Sequence, residues 1–271
     1  MRLTVKCAVV GDPIAHSLSP VLHRAGYAAV GLDWEYDATL VPEGELSAFV
    51  AGLGDEWRGL SVTAPLKREA RALGDVVSDR VALVRSANTL LLGDGEVHAD
   101  NTDLPGAVVA IRERYDGPVG DALILGAGAT AASTGLALAD LGATRIAIAA
   151  RTASRASDTV AAIAGHPRRP QVRVVDLATV ELDGADIVVS TVPVIAQTPG
   201  LVARVGNVGV LFDVVYHPWP TPLALAAPHT LISGLDLLVH QAALQFTAFT
   251  GVAAPLPAMR VAGEAALRER L

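Results

Sequence analysis

The chain has 271 residues, enough for one large or two modest domains with real cores. Its net charge of −7 and the lack of any lysine/arginine run argue against a nucleic-acid surface, so anionic ligands must be met by local groups. One cysteine, Cys7, rules out an internal disulfide framework or CxxC site, and seven histidines without HExxH or paired spacing offer no metal motif.

A hydrophobic content of 51% with only 4% aromatics describes an Ala/Val/Leu-rich α/β protein packed through small residues. The opening MRLTVKCAVVGD has too short an apolar stretch for a signal peptide, and no segment is long enough to span a bilayer. The expectation is a cytoplasmic protein with no membrane partner.

Lys6 to Val10 reads as an apolar strand ending at Gly11, with Cys7 a small buried hydrophobe. Ser17, Leu18, Ser19 and Pro20 then precede a helical pattern from Val21 to Val30 that Gly31 closes. Ser19 before Pro20 is N-cap chemistry followed by N1, and two hydroxyls at a helix start also suit an anion; both readings stand. Trp34 to Val41 is a second strand, Glu43 to Leu53 a helix and Gly59 to Thr63 a third strand, and a further helix carries Lys67 and runs through Leu73. Strands alternating with helices predict a mostly parallel sheet, whose ligands lie beyond the strand carboxyl ends, where Thr63 and Lys67 stand. A lysine in a helix's first turn opposes the dipole unless an anion answers it, so Lys67 is either solvated or functional.

Ser86-Ala87-Asn88-Thr89 leads into a strand over Leu90 to Leu92, and Gly93-Asp94-Gly95 turns it back as Glu96-Val97-His98. The return strand ends at Asp100-Asn101-Thr102-Asp103, and Leu104 to Tyr115 is helical. Asp103 stands at a domain seam, and capping that helix is its plainest role.

Asp121 to Arg155 then forms a βαβ unit: an apolar run (Ala122 to Leu125), a glycine turn, a small-residue helix closed by Gly142, and a second apolar run (Ile146 to Ala150) ending at Arg151. The turn reads Gly126, Ala127, Gly128, Ala129, Thr130, Ala131, a G-x-G-x-x-A dinucleotide fingerprint. Gly126 permits the turn, Gly128 lets backbone approach a pyrophosphate, and Ala131 lets helix and strand pack closely. The residues after the second strand are Arg151, Thr152, Ser154 and Arg155, with no acid before Asp158. An arginine there suits the 2′-phosphate of NADP, whereas an acid would suit NAD.

Further strands are expected over Gln171 to Asp176, Asp186 to Thr191, Val208 to Val215 and Leu231 to Gly234, with Tyr216 to Pro222 a stiff proline-rich loop. His166 to Pro170, HPRRP, reads as the loosest loop, and the chain closes with helices from Leu237 to Thr250 and Ala258 to Leu271. Because the dinucleotide unit begins halfway along, everything before it is a separate structure, and the fold class is two-domain α/β.

Taken together, GDPIAHSLSPVLH, SVTAPLK, SANTL, ADNTD, the glycine loop, ARTASR, DVVYHPWPTPL and GLDLLVHQAA resemble the shikimate dehydrogenase family over essentially the whole chain. The resemblance implies reversible, NADP-linked oxidation of shikimate to 3-dehydroshikimate in aromatic amino-acid biosynthesis, with a mostly parallel α/β substrate domain over residues 1–104, a Rossmann domain over 105–237 and C-terminal helices, 238–271, returning to the first. By motif position, Lys67 and Asp103 match the catalytic pair, Lys67 moving the hydroxyl proton and Asp103 orienting. Ser17 and Ser19 match the hydroxyls that hold the substrate carboxylate, and Thr63, Asn88, Tyr216 and Gln241 match other substrate contacts. Gly126, Gly128, Ala129, Ala131, Arg151, Thr152, Arg155, Thr191 and Gly234 go to the cofactor, and no metal is implied.

Departures from the common family pattern are Ser61 and Arg24 for asparagines, Ala129 for a third glycine, Ala150 for an asparagine and Leu237 for a methionine. Rival readings are a quinate/shikimate dehydrogenase using NAD, which Arg151 weighs against, and a non-catalytic regulatory relative, which Lys67 and Asp103 weigh against. Monomer and homodimer fit equally.

Overall fold

The computed structural model describes residues 4–227 and 229–270. In chain order the elements are β1 (Val5–Gly11), α1 (Ser19–Val30), β2 (Trp34–Leu40), α2 (Leu46–Ala51), β3 (Trp57–Val62), α3 (Lys67–Leu73), β4 (Val76–Val77), α4 (Asp79–Val84), β5 (Thr89–Gly93) and β6 (Glu96–Asp100). There follow α5 (Asp103–Arg114), β7 (Asp121–Leu125), α6 (Ala129–Asp140), β8 (Arg145–Ala150), α7 (Ser157–Ala164), β9 (Gln171–Asp176), β10 (Ile187–Ser190) and α8 (Pro199–Ala203). The remainder is β11 (Val210–Asp213), α9 (Pro222–Ala226), β12 (Thr230–Ser233), α10 (Gly234–Thr250) and α11 (Leu256–Arg268). Two compact units result: Met1–Thr102 with Leu238–Leu271, and Asp103–Leu237. None of the described helices is long and apolar enough to cross a membrane.

In the first unit the sheet order is β2-β1-β3-β5-β6-β4. β1 lies parallel between β2 and β3, and the β5–β6 hairpin joins antiparallel on the other side of β3. The hairpin turns at Asp94 and Gly95, both with positive φ, as a tight two-residue turn requires. β1 is apolar from Cys7 to Val10 because both its faces are covered, and Ala8, Val10, Leu60, Val62 and Leu90 share one core. On α1, Gly26 faces Phe246 and Met259 of the two C-terminal helices; a Cβ there would fall 2.8 Å from the Phe246 ring.

The second unit is a wholly parallel sheet in the order β12-β11-β10-β7-β8-β9. Numbered within the unit, that is the 3-2-1-4-5-6 arrangement of a Rossmann fold, with the strand order reversing between β7 and β10.

Several local expectations shift. Ser19 is not the N-cap of α1: Leu18 holds that place, no side chain caps the helix, and Ser19 N–H donates to Ser17 Oγ at 3.2 Å. α2 is shorter than its apolar pattern, because Gly44 has positive φ and the chain turns before Leu46. Residues 74–85, where patterning gives no element, hold β4 and α4, and Ser78 caps α4 through Val81 N–H. The proline-rich loop leads straight into α9, started by Thr221 at the N-cap and Pro222 in the first turn. The HPRRP segment is anchored, since the buried His166 ring meets Asp140 Oδ1 at 2.9 Å and accepts Arg168 N–H at 3.1 Å. α10 begins at Gly234 rather than Leu237 because Ser233 and Asp236 form a capping box, each side chain bonding the other's backbone N–H. The last expected helical residue, Leu271, lies outside the described residues.

His23 is the most exacting feature of the first unit. It is fully buried, stacked on Tyr36 with centroids 4.1 Å apart, and ringed by Tyr27, Phe246 and Phe249. Neither ring nitrogen has a hydrogen-bond partner, and burial pushes its pKa down to about 3, a fall that the nearby Gln245 amide opposes only in part. In the unfolded chain a histidine protonates near its ordinary value of about 6.5, so below that pH the unfolded state takes up the proton first. Stability should therefore fall on acidification from pH 7 towards 4, with His23 contributing on the order of 1 kcal/mol per pH unit below 6.5. Urea melts of the parent and of His23→Phe across that range test this; equal pH slopes in the two proteins refute it.

Candidate active site

In the first unit the parallel strands β1 and β3 put their carboxyl ends side by side. Gly11 ends β1 against Thr63, which follows β3: a Cβ on Gly11 would meet Thr63 Cγ2 at 2.4 Å and Ala64 O at 2.9 Å. Thr63 N–H continues the pairing to Val10 O, and its own carbonyl accepts Leu66 N–H, so the chain turns at once into α3. Lys67 is the first residue of α3, and its carbonyl accepts Ala87 N–H at 2.8 Å. That bond ties the lysine backbone to the segment carrying Asn88, whose carbonyl in turn accepts Val62 N–H at 2.7 Å. Thr63, Lys67 and Asn88 are thus brought together by backbone geometry. Ser17 and Ser19 share the turn into α1, a helix start with no capping side chain and no acid in its first turn.

Asn88 is buried and heavily bonded. Its Oδ1 accepts Thr102 N–H at 2.8 Å and the Thr89 hydroxyl at 2.8 Å; its Nδ2 donates to Thr102 Oγ1 at 2.9 Å and Gln241 Oε1 at 3.3 Å. Gln241 is held in turn through Nε2 to Leu238 O at 3.0 Å. Sequence reasoning places Asn88 and Gln241 in the site but omits Thr102, Thr89 and Gln245. Thr102 stands inside the ADNTD motif, and Gln245 lies four residues after Gln241 on α10, one helical turn along the same face. The motif marks Thr102, whereas helical spacing marks only the face that Gln245 lies on and not its partners.

In the second unit Asp103 opens α5 and is buried, and Tyr216 lies half-buried in the loop after β11. The glycine loop leaves β7 at the point where the strand order reverses. Gly126 has φ 106°, and a Cβ on it would fall 2.4 Å from Thr191 Oγ1. Thr191 follows β10, and both its N–H and its hydroxyl donate to Leu125 O. Thr191 therefore braces the glycine turn from below.

The residues here fit a dinucleotide. Gly128 is the N-cap of α6, no side chain caps that helix, no acid stands in its first turn, and a Cβ on Gly128 would meet nothing within 4 Å. The first N–H groups of α6, from Ala129 to Ala131, stay outside the intrahelical ladder and favour a bound anion. Ala131 is fully buried, as close helix–strand packing demands. After β8, Arg151, Thr152 and Arg155 are exposed, and neither guanidinium makes a hydrogen bond or ion pair among the described residues. Two uncompensated cations on an exposed loop suit a phosphate monoester.

Gly234 is required for a different reason. A Cβ there would come within 2.3 Å of Val214 O and 2.9 Å of the Val215 carbonyl carbon, so glycine lets α10 start against the backbone leaving β11. That same exit is anchored by Asp213, buried and bonded by the Thr221 hydroxyl at 2.5 Å, Gln197 Nε2 at 3.1 Å and Val215 N–H at 3.3 Å. Burial raises the Asp213 pKa, and those donors only partly offset it. At the amino end of α10, Asp236 pairs with Arg114 at 2.8 Å. Burial raises its pKa, but the Arg114 and Ser233 bonds together outweigh that and leave it lowered.

Comparison with known proteins gives a consistent result. Residues 9–90 match the shikimate dehydrogenase substrate binding domain and residues 234–262 the shikimate 5′-dehydrogenase C-terminal domain. A shikimate dehydrogenase (NADP(+)) of Methylobacterium radiotolerans is 35% identical, over 99% of this chain and 96% of its own. The crystal structure of Mycobacterium tuberculosis shikimate dehydrogenase is 40% identical, covers 97% of this chain and 99% of its own, and superposes with a TM-score of 0.87. Shikimate 5-dehydrogenase from Thermus thermophilus, solved in complex with NADP(H) and shikimate, is 28% identical, covers 97% and 100%, and has a TM-score of 0.86.

The two loop glycines should respond differently to one methyl group. Gly126→Ala forces a positive φ and a clash with Thr191, so melts should show about 1–3 kcal/mol of destabilisation. Gly128→Ala meets open space and should cost under about 1 kcal/mol, while weakening dinucleotide binding by about tenfold or more. Calorimetric titration beside thermal melts separates the two, and a Gly128→Ala protein with unchanged dinucleotide affinity would contradict the fit.

Proposed function

The chain belongs to the shikimate dehydrogenase family, and from that premise we propose that it interconverts shikimate and 3-dehydroshikimate reversibly with NADP, in aromatic amino-acid biosynthesis. The observation that carries the cofactor is the pair Arg151 and Arg155, without partners among the described residues and with no acid before Asp158, on the loop that follows β8 of an intact fingerprint unit. We further take the enzyme to work in the cytoplasm on small molecules alone.

NADP, when bound, accepts or returns the hydride. The α6 N-terminus with Gly126, Gly128, Ala129 and Ala131 holds its pyrophosphate, and Arg151, Thr152 and Arg155 hold the 2′-phosphate end. Thr191 and Gly234 shape the wall behind it. As a carbinol carbon is oxidised its hydroxyl proton must leave, so a base has to stand within hydrogen-bond reach of that oxygen. Lys67 Nζ takes this proton and gives it back in the reverse direction, and Asp103 orients the reacting hydroxyl. Ser17 and Ser19 donate to the substrate carboxylate at the start of α1, where the helix supplies no acid to repel it. Thr63, Asn88, Tyr216 and Gln241 bond the remaining hydroxyls and fix the ring. A site built from such fixed polar partners strongly rejects an analogue lacking one hydroxyl.

Absorbance assays with shikimate or quinate, each crossed with NADP or NAD, test the reading directly. Fast reduction is expected with shikimate and NADP only; preference for quinate or NAD would move the protein to another activity of the same fold. Lys67→Ala should lower turnover by ~10²–10⁴, and near-normal turnover in that variant would remove the lysine from proton transfer. Arg151→Ala should raise KM for NADP about tenfold or more and leave KM for NAD nearly unchanged. Equal changes for both cofactors would take away its 2′-phosphate role.

A further inference from the structure

We propose that Arg270 is a positioning residue for the substrate carboxylate, holding from the far end of the chain the turn that carries Ser17. The inference rests on the assignment of Ser17 and Ser19 as the hydroxyls that meet that carboxylate, and adds what keeps them in place. On α11, Met259, Gly263 and Leu267 are buried and recur every fourth residue, so they form one stripe along the helix. That helix packs on α1. Arg270 N–H donates to Leu267 O at 3.2 Å, which carries the helical turn past the end of α11 and keeps Arg270 in line with the stripe. There its Nη1 donates to His16 O at 2.7 Å. Gly26, late in α1, faces Met259, early in α11, and Arg270, just past α11, reaches His16, just before α1. The two helices therefore run antiparallel, and their packing delivers the guanidinium to the serine turn.

His16 O and Ser17 N–H belong to one planar peptide group. The N–H donates to Ile14 O at 2.9 Å inside the turn, and the carbonyl accepts Arg270 from outside it, so the plane is held at both polar ends. Ile14 and Leu18 are buried and fix where the turn begins and ends. Between them the side chains give less hold, since Ala15 is exposed and His16 and Ser17 are half-buried, and the Arg270 bond falls within this interval. Ser17 Oγ accepts Ser19 N–H at 3.2 Å and has no other partner among the described residues, which leaves its proton for a carboxylate oxygen. Rotation of the peptide plane would move that hydroxyl and loosen its bond to Ser19 together. The motif from Pro13 to His23 holds no lysine or arginine, and the donor that reaches it is a guanidinium, so this bond is of the stronger, charge-assisted kind.

Arg270→Met keeps much of the side chain's length and removes donor and charge; Arg270→Lys keeps both, and one bond is all it must supply. Arg270→Met should raise KM for shikimate about fivefold at saturating NADP, with KM for NADP unchanged and kcat altered less than KM. Arg270→Lys should recover most of that loss. In a Ser17→Ala background Arg270→Met should add little further, because the group it positions is gone. Arg270 is exposed, so thermal melts of the variant should match the parent. A parental shikimate KM in Arg270→Met, equal losses in the Met and Lys variants, or a full additional loss in the Ser17→Ala background overturns the proposal. So does an Arg270→Met protein that melts well below the parent with KM raised for both substrates, since the bond is then a general brace. If Ser17→Ala alone leaves the shikimate KM unchanged, the assignment of Ser17 fails and this inference falls with it. If Ser17→Ala is impaired and Arg270→Met is not, the positioning role alone is lost.

Discussion

Gly126 cannot carry a side chain, and the second unit is arranged around that fact. Its φ of 106° and the 2.4 Å gap to Thr191 Oγ1 mean that β7 turns into α6 over the end of β10 with no space to spare. Such an approach is possible only where two parallel neighbours run in sequence-opposite directions away from each other, which is the place where the order of the sheet reverses. The turn throws the α6 N-terminus outward without a cap of its own. The electrostatic demand for an anion is thus a by-product of a steric constraint, and β8, pairing with β7 along its whole length, delivers Arg151 to the same edge.

How much of this could be read beforehand depends on how local the cause is. The glycine loop, the arginines after β8 and the parallel alternation are properties of contiguous residues, and they appear where the pattern puts them. Ser19 is displaced from the N-cap by one position because Ser17 supplies the oxygen its N–H uses, a choice between two serines two residues apart. No pattern announces α4, although Ser78 supplies a cap three residues before Val81, since β4 just before it has only two residues and no alternation. Gln245 is a harder case. Its partners Ser61 and Asn88 lie 184 and 157 residues away, and no window of sequence joins them.

The first unit contains the two outcomes open to a buried polar side chain. His23 is enclosed by aromatic rings with both nitrogens unpartnered, so its burial is offset by stacking on Tyr36 and by remaining neutral. A few residues away along the sheet, Tyr36, Ser61, Gln245, Thr89 and Asn88 satisfy one another. A fully paired network in a low-dielectric interior is stiff, because each member loses its partner if any other turns. Stiffness of that kind is what a site for a polyhydroxylated ring needs, since discrimination between hydroxyl patterns fails when the protein amides can flip to suit the ligand.

Asp213 shows the same device in the second unit with a carboxyl group. Loops that leave parallel strands carry backbone groups that the sheet no longer pairs, and an apolar anchor could hold their position but not answer those groups. One acidic side chain accepts from Val215 N–H, from the Thr221 hydroxyl that also caps α9, and from Gln197 beyond β10, so both ends of one loop and a point on another are fixed together. The cost is a desolvated carboxyl with a raised pKa. Asn88 does the equivalent work in the first unit without a charge, joining the ends of β3, β5 and β6 through its own backbone and side chain. In each unit the strand ends are set by one buried polar residue, and the exposed chemistry of the loops is free to vary around it.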